Sequence, residues 1–377
     1  MTATVTAATR TQAPPANRRV GLRRIPFLVP GAVALFAGLD AALMLIGLPA
    51  PVSADRLPDV HGMLLVLGFV GTLIALERAV VLSNRAGFLA PGLLGAGAVL
   101  LVSPAPLTAG RGALLAGTVA LTAVYVPLWR RQRDDAVLVQ ALGAVLAVGA
   151  ATLWLGGVRV PSLLPWLVGF IVLTIAGERL ELARIAMGPR AGRTLVLLAA
   201  GVVVTVTSSL LWPAVGAPAL GLVLVMLVGW LAVHDVARRT VRSDGLVRFM
   251  AASMLAGYFW LAVAGSVWLV GGPTTDGARY DAVVHAVFLG FTISMIMAHA
   301  PVILPAVLRR PMAYHPALLV PAVALHLSLA LRLWVGDSLG HQLAWQVGGA
   351  LNIASLLGFV AVVVWVLTRT ARSGARR

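Results

Sequence analysis

Apolar residues in this chain gather in stretches of about 20, the length that crosses a bilayer. Arginine, proline and glycine punctuate the stretches and divide the sequence into twelve, roughly 25–49, 60–82, 87–104, 112–129, 136–156, 162–178, 193–213, 216–234, 246–271, 281–306, 316–335 and 341–368. The pattern predicts an all-α integral membrane fold with twelve transmembrane helices over 25–368. Residues 1–24, rich in Ala, Thr and Pro and then in Arg, read as a disordered cytoplasmic leader, and 369–377 as a basic cytoplasmic tail.

Composition excludes a soluble protein. Of 377 residues, 60% are hydrophobic and 11% charged, with a mean hydropathy of +0.95. A water-soluble core cannot hide that much apolar surface. The formal charge of +16 suggests nucleic acid until its distribution is followed. Arg18, Arg19, Arg23 and Arg24 precede the first span, and clusters such as Arg130/Arg131/Arg133, Arg238/Arg239/Arg242 and Arg309/Arg310 follow even-numbered ones. The other loops hold single arginines, Arg56, Arg111, Arg159 and Arg279, mixed with aspartates. This is the positive-inside pattern, so the expected partner is the bilayer of the cytoplasmic membrane rather than nucleic acid, with both termini cytoplasmic. The chain has no cysteine, which excludes disulfides, iron–sulfur clusters and thiolate metal sites.

Three stretches share a mark. Gly68-Phe69, Gly169-Phe170 and Gly290-Phe291 each lead, nine residues after the Gly, to an ionisable group: Glu77, Glu178 and His299. The marks fall on the second, sixth and tenth spans, which suggests three pseudo-repeats of four helices.

The ionisable residues inside spans are the candidates for function, because such groups are costly in lipid. The tenth span carries His285 and His299 on one stripe, about 21 Å apart along the axis. The second span carries His61 near its start. Measured from the Gly-Phe marks, His61 and His285 differ in depth by about 3 Å, at the outer face. Two imidazoles at one level can hold a haem iron from both sides, provided each has its other ring nitrogen satisfied. Arg56, Arg279 and Arg332 share that face, where haem propionates want cations, although Arg332 also reads as a snorkelling side chain. His299, with Met295 and Met297 close before it, is a soft site for copper or else a hydrogen-bonded packing residue. Pro301 and Pro305 then bend or end the helix.

At the inner face, Glu77-Arg78 and Glu178-Arg179 close their spans, and Glu181 can pair with Arg184 at i,i+3. These groups read either as an interfacial salt-bridge cluster or as a proton relay.

Twelve spans in three groups of four, with histidines on spans two and ten, resemble haem-copper oxidase subunit I, and more closely the smaller NnrS-type membrane proteins related to nitric oxide response. The resemblance implies haem b with His61 and His285 as axial ligands, and a nitrogen-oxide or respiratory context in which nitric oxide is a possible small-molecule ligand. It departs from the oxidases where their copper histidines belong: spans six and seven have none, which argues against an oxidase-type binuclear centre. A proton-coupled secondary transporter using Glu77, Glu178 and His299 is the rival expectation. A scaffold without a site of its own is the third.

Overall fold

The structure, a computed structural model, describes residues 24–310 and 312–374. The leader expected over 1–24 and the end of the basic tail therefore lie almost wholly outside the described residues. Twelve helices are long and apolar enough to cross a membrane, and no strand occurs among the described residues. They are α1 (Ile25–Leu45), α2 (Leu57–Leu82), α3 (Arg85–Val102), α4 (Leu107–Gln132), α5 (Asp135–Leu155), α6 (Val160–Met187), α7 (Ala191–Leu211), α8 (Pro213–His234), α9 (Gly245–Gly271), α10 (Gly277–Leu308), α11 (Pro316–Ser338) and α12 (Gln342–Gly374).

Local chemistry explains the helix boundaries. Proline occupies the first turn of α1, α2, α6 and α8, where its missing N–H costs nothing. Asp134 caps α5 by accepting from the Ala136 N–H at 3.0 Å. The α4 helix begins five residues earlier than the hydropathy pattern predicts. The early turn includes Arg111, which lies 4.7 Å over the ring of Trp154 and so has a partner at the membrane edge. The α6 helix outlasts its predicted end and runs to Met187, with a kink at Ala183 (φ −110°, ψ 16°). Pro301 and Pro305 do not end α10, which continues to Leu308 and stops at Arg309 in the left-handed region (φ 52°). The last helix likewise passes residue 368.

Small residues let the helices approach closely. A side chain at Gly221 would sit 2.4 Å from the backbone of Leu269 and 2.5 Å from that of Gly265, so α8 and α9 pack backbone to backbone. The three helices with the Gly-Phe marks form the centre. In their most apolar windows α2, α6 and α10 are 67, 72 and 67% buried, against 22 to 56% for the other nine. Two of the central helices also share a departure from α geometry. Leu64–Gly71 in α2 and Ala286–Ile293 in α10 are π-helical, and the Gly-Phe mark holds the fifth and sixth places of both segments. A third π segment, Leu331–Ser338, lies in α11, whereas α6 has none at Gly169-Phe170. Such segments widen a helix locally and recur at functional sites.

Candidate functional site: a histidine pair and an arginine network

The central helices carry two clusters, one at each end of the bundle. At the end where α2 and α10 begin, His61 and His285 line a single cavity of about 90 Å³. The Nδ1–H of His61 donates to the carbonyl of Gly38 on α1 at 2.8 Å. The Nδ1–H of His285 is shared between the carbonyl of Asp281, one turn earlier, at 3.0 Å and the Asp281 carboxylate at 3.1 Å. A carbonyl oxygen only accepts, so each Nδ1 carries a proton, and in the neutral ring the lone pair is on Nε2. Neither Nε2 has a hydrogen-bond partner among the described residues. Both rings are thus held by one nitrogen and open at the other, as in metal-ligating histidines.

The arginines expected beside this pair separate. Arg332 lines the cavity but does not snorkel. It is 6% exposed and grips Asp281 with two bonds, Nε to Oδ2 at 2.8 Å and Nη2 to Oδ1 at 2.7 Å, while stacking 5.1 Å over Trp345. Arg56 donates to the carbonyls of Ser103 and Ala105, closing the α3–α4 turn, and Arg279 donates to Gly271 at 2.6 Å. Neither lines the histidine cavity. Arg56 precedes the first residue of α2, and both arginines are spent on backbone carbonyls.

Among the described residues no three His, Asp or Glu side chains come together as a site for a bare metal ion. A haem needs less from the protein, because its macrocycle supplies four of six ligands. Two open Nε2 atoms lining one cavity match that requirement in donor type and number, and the Asp281 carboxylate lies against His285 Nδ1. The space fits only in part: about 90 Å³ is below the ~300–1,000 Å³ usual for a larger ligand, so a porphyrin needs side chains of the cavity wall to turn aside.

At the other end, where α2, α6 and α10 finish, ion pairs join the helices. Arg179 of α6 donates to Asp235, just past α8, through Nε at 2.8 Å and Nη2 at 3.0 Å. Tyr258 of α9 donates to the same carboxylate at 2.7 Å, and so does the Ala237 N–H at 2.9 Å. Burial pushes the Asp235 carboxyl up, but the bonds and charge of Arg179, with the two smaller donors, hold it below the usual carboxylate range. The remaining Arg179 nitrogen, Nη1, lies 3.2 Å from His299 Nε2. Guanidinium can only donate, so Nε2 accepts and the His299 Nδ1–H goes to the Met295 carbonyl at 2.7 Å. Both ring nitrogens are spent. His299 therefore offers no lone pair to copper, and Met295 meets it through backbone, not sulfur. His326 is not its partner either, since it accepts from Trp260 Nε1 at 3.0 Å.

Arg78 of α2, 4% exposed, bonds Glu77 at 2.5 Å, Glu181 at 3.0 Å and Gln140 of α5 at 2.9 Å. The i,i+3 pair expected between Glu181 and Arg184 does not form. The kink at Ala183 lies between them, and Arg184 pairs with Asp134 at 2.6 Å instead. Glu178 makes no salt bridge, and its carboxyl faces that of Glu77. Both carboxyls and His299 line a second cavity, of about 390 Å³, between α1, α2, α6, α10 and α12.

Asp235, Tyr258, Asp281 and Gln140 escaped the sequence reading. Asp281 alone left a signal there, its i,i+4 spacing from His285. Asp235 lies outside any span, and Tyr258 is one of five aromatic residues in α9 with nothing in the sequence to set it apart.

No curated protein and no solved structure matches the chain. A family model matches residues 24–368, from the start of α1 into α12, and the chain belongs to that family, described as Domain of unknown function (DUF8744).

Proposed function

We propose that this is a haem-binding membrane protein of NnrS-like type, holding haem b between His61 and His285 and acting in nitric oxide response or respiratory electron handling. The observation that carries the proposal is the pair of imidazoles lining one cavity, each pinned through Nδ1 and open at Nε2. Bound haem would supply a redox-active iron. His61 and His285 would hold it, and the Gly38 carbonyl and Asp281 would fix the ring orientations. Arg332 would keep Asp281 ionised and in place. In this reading the arginine-rich end faces the cytoplasm, both termini are cytoplasmic and the membrane is the inner one, following the positive-inside rule. The three groups of four helices are pseudo-repeats, a view supported by the central burial of every fourth helix and by the matched π segments of α2 and α10.

The test is the absorption spectrum of protein purified after expression with ample haem, oxidised and dithionite-reduced. A Soret band that His61→Ala and His285→Ala each alter is the expected result. Colourless, folded wild-type protein would overturn the proposal.

A second reading is proton-coupled secondary transport. It is favoured by Glu77 and Glu178, carboxyl to carboxyl on the wall of the larger cavity, with His299 beside them. Proton-dependent solute uptake into liposomes by haem-free protein would support it, and its absence from active, correctly inserted protein would remove it.

A further inference from the structure

The 390 Å³ cavity has the size of a ligand site, within the ~300–1,000 Å³ common for such pockets. Its wall is apolar except at four side chains: Glu77, Glu178, His299 and Thr292. Two of these are already satisfied, since Thr292 donates to the Val287 carbonyl at 2.9 Å and His299 is bonded through both ring nitrogens. That leaves two carboxyls: Glu77, which Arg78 already bonds at 2.5 Å, and Glu178, which has no salt bridge among the described residues.

The charge of that ligand follows from the neighbours. One guanidinium, Arg78, faces three carboxyls, Glu77, Glu178 and Glu181, so up to two negative charges are unmatched. The next guanidinium, Arg179, is spent on Asp235 and His299. Carboxyls that face one another away from water need a proton or another cation between them. A cationic ligand can take the place of that proton, whereas an anion would add to the carboxyl excess and a neutral molecule would leave the proton where it is.

A route in is also visible. Phe36 of α1 and Val364 of α12 line the cavity and are 50% and 53% exposed. Half-exposed side chains on its α1 and α12 walls mean that the space is not sealed there, and a ligand that partitions into the bilayer can enter on that side.

We propose that this cavity binds a lipophilic monovalent cation, its charge against Glu77 and Glu178 and its apolar body between α1, α10 and α12. The inference names a substrate class for the transporter reading and rests on it for the choice of carboxyls, but binding at equilibrium requires no transport. It is independent of the histidine pair, which lies at the other end of α2 and α10.

The experiment is equilibrium dialysis of the full chain in nanodiscs against tetraphenylphosphonium, with tetraphenylborate as an anion of the same shape and empty nanodiscs subtracted. Saturable binding of the cation and not of the anion is expected. Glu178→Gln and Glu77→Gln should each weaken it by about tenfold or more, a difference of ~1.4 kcal/mol or more. Ala32→Trp, which fills the α1 wall without touching charge, should abolish it. Equal retention of both ions, or cation binding unchanged by Ala32→Trp, overturns the proposal even if the glutamate variants fail to fold. Proton-linked uptake of some other solute, with no binding of the phosphonium, would sink this inference and leave the transporter reading intact. Binding without proton-linked uptake would do the reverse.

Discussion

Arg179 holds Asp235 through two parallel bonds, Nε to Oδ2 at 2.8 Å and Nη2 to Oδ1 at 3.0 Å, with side chains 5% and 1% exposed. The pair joins the end of α6 to the end of α8, and Tyr258 and His299 extend it to α9 and α10. Four helices, α6, α8, α9 and α10, meet on two opposite charges. A buried charge is tolerated only with its partner and its hydrogen bonds in place, so this end of the bundle admits one arrangement.

Replacing Asp235 by Asn should therefore be severe. The change leaves the Arg179 charge buried without a counter-ion, at a cost of ~3–5 kcal/mol. Thermal unfolding of the purified variant in detergent should show a clearly lower Tm, and an unchanged Tm would mean that the pair is not what holds these helix ends.

The same carboxylate sets an acid limit. Its value in the folded protein lies below its ordinary one. The stabilisation is therefore complete above about pH 4, the unfolded value, and is lost as pH falls through the lower folded value. Wild-type Tm should drop on acidification below about pH 4 more steeply than that of Asp235→Asn, which has no such proton to take up. Parallel Tm profiles in the two proteins would contradict this.

For the histidine pair, the supporting carboxylate separates a ligand role from a packing role. Asp281→Asn should lower haem affinity by about 10–100-fold while leaving a bis-imidazole spectrum, because it weakens the orientation of His285 without removing it. His285→Ala should lose that spectrum. Haem titration of the two variants distinguishes these outcomes, and identical behaviour of both would point to a purely structural histidine.

His299→Ala should leave the metal and haem content unchanged, since both ring nitrogens are already bonded. Its effect should appear as a lower Tm through the loosened Arg179. Copper bound by the wild type and lost in this variant, by elemental analysis, would refute that assignment.

Two glycines of α8 offer an internal control on packing. Gly221→Ala puts a methyl group against the backbone of α9 and should cost ~1–3 kcal/mol by overpacking. Gly229 has nothing within 4 Å of an added Cβ, so Gly229→Ala should be neutral or slightly stabilising, by ~0.5–1 kcal/mol. The ordering of the two Tm values is the measurement.

Much of the candidate chemistry was legible in one dimension. The level of His61 and His285 follows from counting residues along straight helices, and the structure brings both to one cavity. Arg56 and Arg279 were expected at the same face, but they bond backbone carbonyls and do not line the cavity, a choice of partner that residue order does not reveal. Counting failed for Glu181 and Arg184 because a kink at Ala183 broke the periodicity that the pairing assumed. Pro301 and Pro305 were expected to bend or end the helix, and α10 runs on through both to Leu308.

The sequence by itself determined the number and placement of the helices, since a bilayer demands about 20 apolar residues per crossing and leaves that demand in the hydropathy pattern. It also marked α2, α6 and α10 through their Gly-Phe dipeptides before their central position was visible. Only the tertiary structure decided which charges meet. Arg179 finds Asp235 and His299, Arg78 finds Glu181 and Gln140, and Arg332 finds Asp281, in every case across helices. Hydropathy reports how deep a residue sits, but a charge in an apolar interior takes whichever partner the rotation and packing of neighbouring helices bring within about 3 Å, and that geometry is set by the whole bundle at once.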